Sequence, residues 1–145
     1  MSFASAGFLA LLIIPALDRR FGWSTMPLLI SLLGDVLFVL SYLAITRVFR
    51  ENSFAASTIT VEPGQTVIST GPYAHVRHPM YAAGIPLLAA LPLSLGSWWG
   101  LIAFIPLLPV LVWRLLDEEE VLKSNLAGYM DYCDHVKSRL IPFVW

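Results

Sequence analysis

Between Arg20 and Arg47 the chain carries a single charged residue, Asp35, and between His78 and Arg114 it carries none. Stretches of this kind constrain the fold more than any motif does, because a hydrocarbon core needs about 20 consecutive apolar residues to be crossed. Four apolar runs stand out. Phe3 to Leu17 is short and ends in Asp18-Arg19-Arg20, and Met26 to Thr46 holds only Asp35. Met80 to Leu95 and Trp98 to Trp113 are parted by Gly96-Ser97, which predicts a tight helical hairpin. Pro86, Pro92, Pro106 and Pro109 predict kinks, tolerated where neighbouring helices satisfy the freed carbonyls. The first run is not a signal-peptide core, since no basic region precedes it and its charges follow it. With 57% hydrophobic and 13% charged residues in 145, against roughly 45–50% and 25% in soluble domains, the chain has too little polar surface to cover itself in water. The expected architecture is all-α: one integral-membrane domain over 1–145, a multi-pass bundle of about four transmembrane helices.

Two polar segments complete the pattern. Residues 47–78 are rich in Ser, Thr, Gly and Pro and must lie outside hydrocarbon. From Asp117 to Arg139, apolar Val121, Leu122, Leu126, Tyr129, Tyr132 and Val136 recur at helical spacing. That stripe predicts an interfacial helix over 117–139, folded back onto the bundle or the bilayer surface. Four crossings leave Arg19 and Arg20 on one side and Arg47, Arg50, Arg77, Arg114, Lys123, Lys137 and Arg139 on the other. The positive-inside rule then sets both termini and the polar segments in the cytoplasm. A net charge of −1 supplies no basic field for nucleic acid. One cysteine, Cys133, excludes an internal disulfide and any multi-cysteine metal centre, so no metal site is expected.

Three constellations can carry chemistry. In Gly71-Pro72-Tyr73 through Arg77-His78-Pro79-Met80-Tyr81, Gly-Pro marks a turn and Pro79 fits the first position of a helix. A helix start flanked by Arg77 and His78 suits an anion, and Tyr81 lies one turn beyond His78 on the same face. The plainer alternative makes Arg77 and His78 interfacial anchors and Tyr81 part of an aromatic belt. In Arg114-Leu115-Leu116-Asp117-Glu118-Glu119-Glu120, Arg114 and Glu118 are one turn apart and share a face, while Glu119 points about 100° away. Arg114 can serve a site or simply snorkel from the membrane edge. Asp35 lies near the middle of its run, where a carboxylate costs roughly 2.5–3.5 kcal/mol on insertion scales, so it is expected to face a polar cavity or to hydrogen-bond within the bundle.

In order and spacing, these residues resemble the isoprenylcysteine carboxyl methyltransferase and phospholipid N-methyltransferase superfamily of small membrane enzymes. The resemblance rests on Gln65-Thr66-Val67-Ile68-Ser69-Thr70-Gly71-Pro72-Tyr73, Arg77-His78-Pro79-Met80-Tyr81, a helical hairpin, and Arg114-x-x-x-Glu118-Glu119-x-x-Leu122. Tyr129-x-x-Tyr132-x-x-x-Val136 and Ile141-Pro142 close it. It implies S-adenosylmethionine as cofactor, wrapped by Gln65, Thr66, Val67, Ile68, Tyr73, His78, Pro79, Met80, Tyr81 and Glu118. It implies that Arg114 binds the methyl-accepting substrate and that Arg114 and Glu118 are the catalytic pair. The implied partners are the lipid bilayer and a lipophilic, lipid-like or prenylated acceptor. Where the family often has Phe-Gly before the first Tyr of its last motif, this chain reads Leu126-Ala127-Gly128-Tyr129.

The residues agree with that chemistry. Methyl transfer from a sulfonium is an in-line displacement, so a protein mainly supplies alignment and a water-poor cavity. A carboxylate acceptor is nucleophilic as it stands and would be held by Arg114 as a fork. An amine would have to lose a proton to a base such as His75, His78 or a carboxylate. Two other readings stay open: a sterol reductase-like enzyme using NADPH, whose members follow the Tyr with Gly-Asp where this chain has Ala82-Ala83-Gly84, and a non-enzymatic membrane module.

Overall fold

Helices follow the uncharged runs, with their boundaries moved by proline, glycine and polar side chains. The computed structural model describes residues 2–52, 54 and 64–145, with side chains from Ser5 onward. Within the polar stretch 47–78, residues 53 and 55–63 lie outside the described residues. Among the described residues there are six α-helices and no strand: α1 (Ser2–Phe21), α2 (Leu28–Glu51), α3 (Pro79–Ser94), α4 (Trp98–Phe104), α5 (Leu107–Asn125) and α6 (Tyr129–His135). A 3-10 turn, Gly71–Ala74, precedes α3. Leu28–Glu51 and the segment Trp98–Asn125 are long and apolar enough to cross a membrane, and Pro79–Ser94 is apolar but shorter.

Two boundaries correct the sequence expectation. The run 98–113 is not one straight span: the helix breaks at Ile105-Pro106, because proline has no N–H to give and its ring collides with the preceding turn. Beyond the break, α5 continues past Trp113 to Asn125, so the helix expected over 117–139 does not exist as a unit. Its first part is the end of α5; Leu126 to Gly128 form a turn, with Gly128 in the left-handed region at φ 82, and α6 is short.

The described chain forms two units. The first comprises Met1–Leu43 and Ala83–Leu111. Its core is Leu11, Phe104 and Leu107, with Ile85, Leu88, Ala89, Leu101 and Leu108 against them. Glycine permits backbone to pack closely here: a Cβ on Gly34 would fall 2.7 Å from the backbone nitrogen of Ser94. The connection from α1 to α2 and the hairpin between α3 and α4 meet at one carboxylate. Asp18, 1% exposed, accepts hydrogen bonds from Ser24 N and Ser24 Oγ, each at 2.7 Å, from Ser97 Oγ and from the backbone of Trp99. Ser97 caps α4 by accepting from Gly100 N at 2.9 Å, and Trp98 Nε1 donates to Thr25 O at 3.2 Å. Both connections therefore lie at the same end of this unit. Asp35 does not face a cavity; its side chain is exposed on α2, beside buried Gly34.

The second unit comprises Ala44–Ala82 and Val112–Trp145. Its core is Leu126, Tyr129 and Tyr132, joined by Val67, Leu122, Cys133 and Val136. The apolar stripe of 121–136 is thus folded inward against the extended stretch that holds Val67 and is not laid on a bilayer surface. Residues 77–78 are tied to the chain's last stretch: Arg77 N donates to Ser138 O at 2.9 Å and His78 N to Arg139 O at 3.0 Å.

Candidate active site

Two of the three constellations fall in the second unit, and the 3-10 turn is where they are first assembled. Gly71 opens it at φ 56, with a Cβ position only 2.8 Å from the Glu51 carboxylate; a side chain there would be strained twice over. Thr70 Oγ1 donates to Glu51 Oε1. Asn52 Nδ2 donates to the Tyr73 hydroxyl at 2.9 Å, and Tyr132 OH donates to Tyr73 O at 2.7 Å. The end of α2 and the face of α6 thereby fix the turn, and Tyr73 with it.

Pro79 then starts α3, and within its first turn Tyr81 OH donates to Glu118 Oε2 at 2.8 Å. The same phenol is hydrogen-bonded to Arg114. A hydroxyl has one donor and two acceptor positions, so Tyr81 gives its proton to the carboxylate and accepts from the guanidinium. Glu118 also acts on Tyr73: burial pushes that phenol above its ordinary value, the Asn52 hydrogen bond opposes the shift, and the Glu118 charge adds to it. Tyr73 consequently stays a neutral hydroxyl at physiological pH. Tyr73, Tyr81, Arg114 and Glu118 form one group in which a carboxylate and a guanidinium share a phenol.

Glu119 turns the other way and is 2% exposed. Three cationic side chains and a histidine converge on it: Lys123 Nζ at 2.6 Å, Arg139 Nε at 2.8 Å, Arg77 at 3.3 Å and His78 Nε2 at 3.4 Å. A buried carboxylate persists only when it is paired and hydrogen-bonded, and here the chain's own residues supply every partner. The anion expected at the cationic helix start is therefore Glu119 itself. His78 and Arg77 are spoken for by it, and with His78 3% exposed they are not exposed interfacial anchors either. Nearby, Tyr129 OH and Arg77 Nε are buried without a hydrogen-bond partner, and burial raises the Tyr129 and Tyr132 phenols above the ordinary range.

Of the residues expected to hold a cofactor, the structure thus groups Tyr73, Tyr81 and Glu118 with Arg114. Pro79 is buried and Met80 half-buried at the start of α3. Val67 points into the unit's apolar core, Gln65 and Ile68 are half-buried, and Thr66 is exposed. Sequence reasoning missed Glu51 and Asn52, which position the turn, and Glu119 with Arg139, which fasten the helix start. The one available signal was the Glu119 to Lys123 spacing, one turn of helix.

The donor set fits a sulfonium cofactor. A carboxylate and electron-rich phenol rings attract a cation, and neutral tyrosine hydroxyls can pair with the hydroxyl and amino groups of a nucleoside. A family model described as phospholipid methyltransferase matches residues 29–127, most of the chain and all four grouped side chains. No curated protein matches the chain.

Proposed function

This chain belongs to the phospholipid methyltransferase family, and from that premise we propose that it is an S-adenosylmethionine-dependent methyltransferase acting at the membrane on a lipid-like or prenylated acceptor. A membrane methyltransferase is what the family implies; the cofactor, the acceptor and the roles below are the proposal. The observation that carries it is the Tyr81 hydroxyl held between Glu118 and Arg114. That arrangement keeps one negative and one positive group side by side, as a reaction between a cationic donor and an anionic or phosphate-bearing acceptor requires.

S-adenosylmethionine, when bound, supplies an electrophilic methyl group on a positively charged sulfur. Glu118 attracts that cation and accepts its hydrogen bonds, while Tyr73 and Tyr81 present neutral hydroxyls and rings beside it. Arg114 orients the acceptor through its guanidinium, as a bidentate fork on a carboxylate or on a lipid phosphate. A carboxylate acceptor would need no proton transfer, so these residues would be asked only to align the acceptor with that methyl group and to exclude water. The isoprenylcysteine carboxyl type of acceptor therefore asks least of this site: of the candidate bases for an amine, His78 lies against Glu119 and Glu118 is hydrogen-bonded to Tyr81. His78 and Pro79 contribute by placing Tyr81. The meeting of the two connections at Asp18 supports a pair of helical hairpins, hence four crossings, with the Arg114 end cytoplasmic by the positive-inside rule.

The test is heat protection of the detergent-solubilised protein by S-adenosylmethionine or NADPH, since a ligand stabilises by RT ln(1 + [L]/Kd). Protection by S-adenosylmethionine alone is expected, and protection by NADPH alone overturns the proposal. Transfer of labelled methyl to a prenylated cysteine carboxylate or to an aminophospholipid then identifies the acceptor.

A further inference from the structure

Tyr73 is pinned at three points. Its backbone N–H donates to Thr70 O at 3.1 Å, its carbonyl accepts from the Tyr132 hydroxyl at 2.7 Å, and its own hydroxyl accepts from Asn52 Nδ2 at 2.9 Å. The residue is half-buried, so a ligand can still reach it.

The direction of the Asn52 bond is decided two positions further along the chain. Phe54 N donates to Asn52 Oδ1 at 3.0 Å. A backbone N–H can only donate, so the amide oxygen must face Phe54 and the amide nitrogen must face Tyr73. That nitrogen has no lone pair to offer. The Tyr73 hydroxyl therefore accepts from Asn52 and keeps its own proton, which burial holds in place at physiological pH. Among the described residues no acceptor takes that proton, and Glu118 acts on the phenol through its charge alone. Tyr81 is the opposite case: its proton goes to Glu118 and it is hydrogen-bonded to Arg114 as well. Of the two phenols in the site, only Tyr73 has a proton left to give.

We propose that Asn52 is a positioning residue for cofactor recognition: by occupying the acceptor side of the Tyr73 hydroxyl, it makes Tyr73 a hydrogen-bond donor to an acceptor atom of S-adenosylmethionine. The inference rests on the cofactor reading above and adds the sign of one contact. Groups of the cofactor that donate, its ammonium above all, fall to the Glu118 carboxylate; a group that accepts falls to Tyr73.

Asn52→Asp separates this role from simple support of the chain. It keeps the shape and the acceptor for Phe54 N, but it turns the donor facing Tyr73 into an acceptor, which captures the phenol proton. Asn52→Ala removes both bonds and leaves the proton free. Without ligand, the melting midpoint of detergent-solubilised Asn52→Asp should therefore lie at or above that of Asn52→Ala. Affinity for S-adenosylmethionine, measured by calorimetric titration, should run the other way. It should be about tenfold weaker than wild type for Asn52→Asp, the loss of one hydrogen bond, and less than about threefold weaker for Asn52→Ala. The charge introduced in Asn52→Asp attracts a sulfonium, so it opposes the expected loss. Tyr73→Phe should also weaken binding about tenfold, and adding Asn52→Asp to it should weaken binding no further, as residues acting through one contact do. Binding by Asn52→Asp as tight as or tighter than that by Asn52→Ala, or a further tenfold loss in the Tyr73→Phe background, overturns the role of Asn52. Absence of S-adenosylmethionine binding by the wild-type protein overturns the cofactor reading itself, and the role of Asn52 with it.

Discussion

Asp18 and Glu119 are both buried carboxylates, 1% and 2% exposed, and the two units of the molecule stabilise them by opposite means. Asp18 is held by neutral donors: two serine hydroxyls and two backbone N–H groups, two of these four from Ser24, six residues away. Glu119 is held by Arg77, His78, Lys123 and Arg139, only one of them a near neighbour in the chain. The difference teaches what each cluster is for. Dipoles from turn residues suffice to pin two helix connections in an apolar unit without importing charge into it. A net-cationic ring that only folding can collect fixes the start of α3, and therefore Tyr81, relative to α5, which carries Arg114 and Glu118.

The comparison breaks most visibly at Glu119. Glu119→Leu leaves Arg77 and His78 buried without their anion, and breaking a buried pair in this way costs about 3–5 kcal/mol. Thermal denaturation in detergent should show a loss of many degrees, or no folded protein; an unchanged midpoint would mean the four partners are satisfied elsewhere. Tyr81→Phe sharpens the contrast between adjacent carboxylates. It removes the hydroxyl that sits between Glu118 and Arg114, and a charged hydrogen bond to the cofactor that this misplaces, at roughly 1.5–3 kcal/mol, corresponds to at least about tenfold in S-adenosylmethionine affinity. Calorimetric titration should show that weakening, with the melting midpoint falling by less than that of Glu119→Leu.

A smaller effect is expected in the first unit. Asp18→Asn retains an acceptor for one serine, so its midpoint should fall by less than that of Glu119→Leu. The fall should be the same at low and high salt, because its partners carry no charge. A salt-dependent loss would show that Arg19 or Arg20 takes part. The smallest effect is expected from Lys123→Met, which removes the most exposed of the four partners. Exposed pairs contribute about 0–1 kcal/mol, and three partners remain on Glu119. A loss as large as that of Glu119→Leu would make Lys123 the indispensable partner.

The hairpin at Gly96-Ser97 and the start of α3 at Pro79 were legible because local chemistry decides them: a glycine in the left-handed region, and a proline where no N–H is needed. The break at Pro106 was legible as a kink but not as the end of a helix. The fate of 117–139 was not legible, since a stripe of Leu and Tyr looks the same whether it faces lipid or Val67. Asn52 carries no motif; it matters because folding returns it to Tyr73.

By itself, then, the sequence determines that the chain is helical and suited to a membrane, that Arg114 and Glu118 share a helix face, and that Tyr81 lies in the first turn of α3. These follow from charge spacing and helical period, which are properties of neighbours in the chain. Tertiary structure alone decides that Tyr81 bridges Glu118 and Arg114, that Glu119 and not a ligand takes up Arg77 and His78, and that Asp35 faces outward. Each of these joins residues far apart in sequence, or chooses one side of a helix. The choice rests on which arrangement leaves fewest buried charges unpaired, and that sum exists only once distant segments have met.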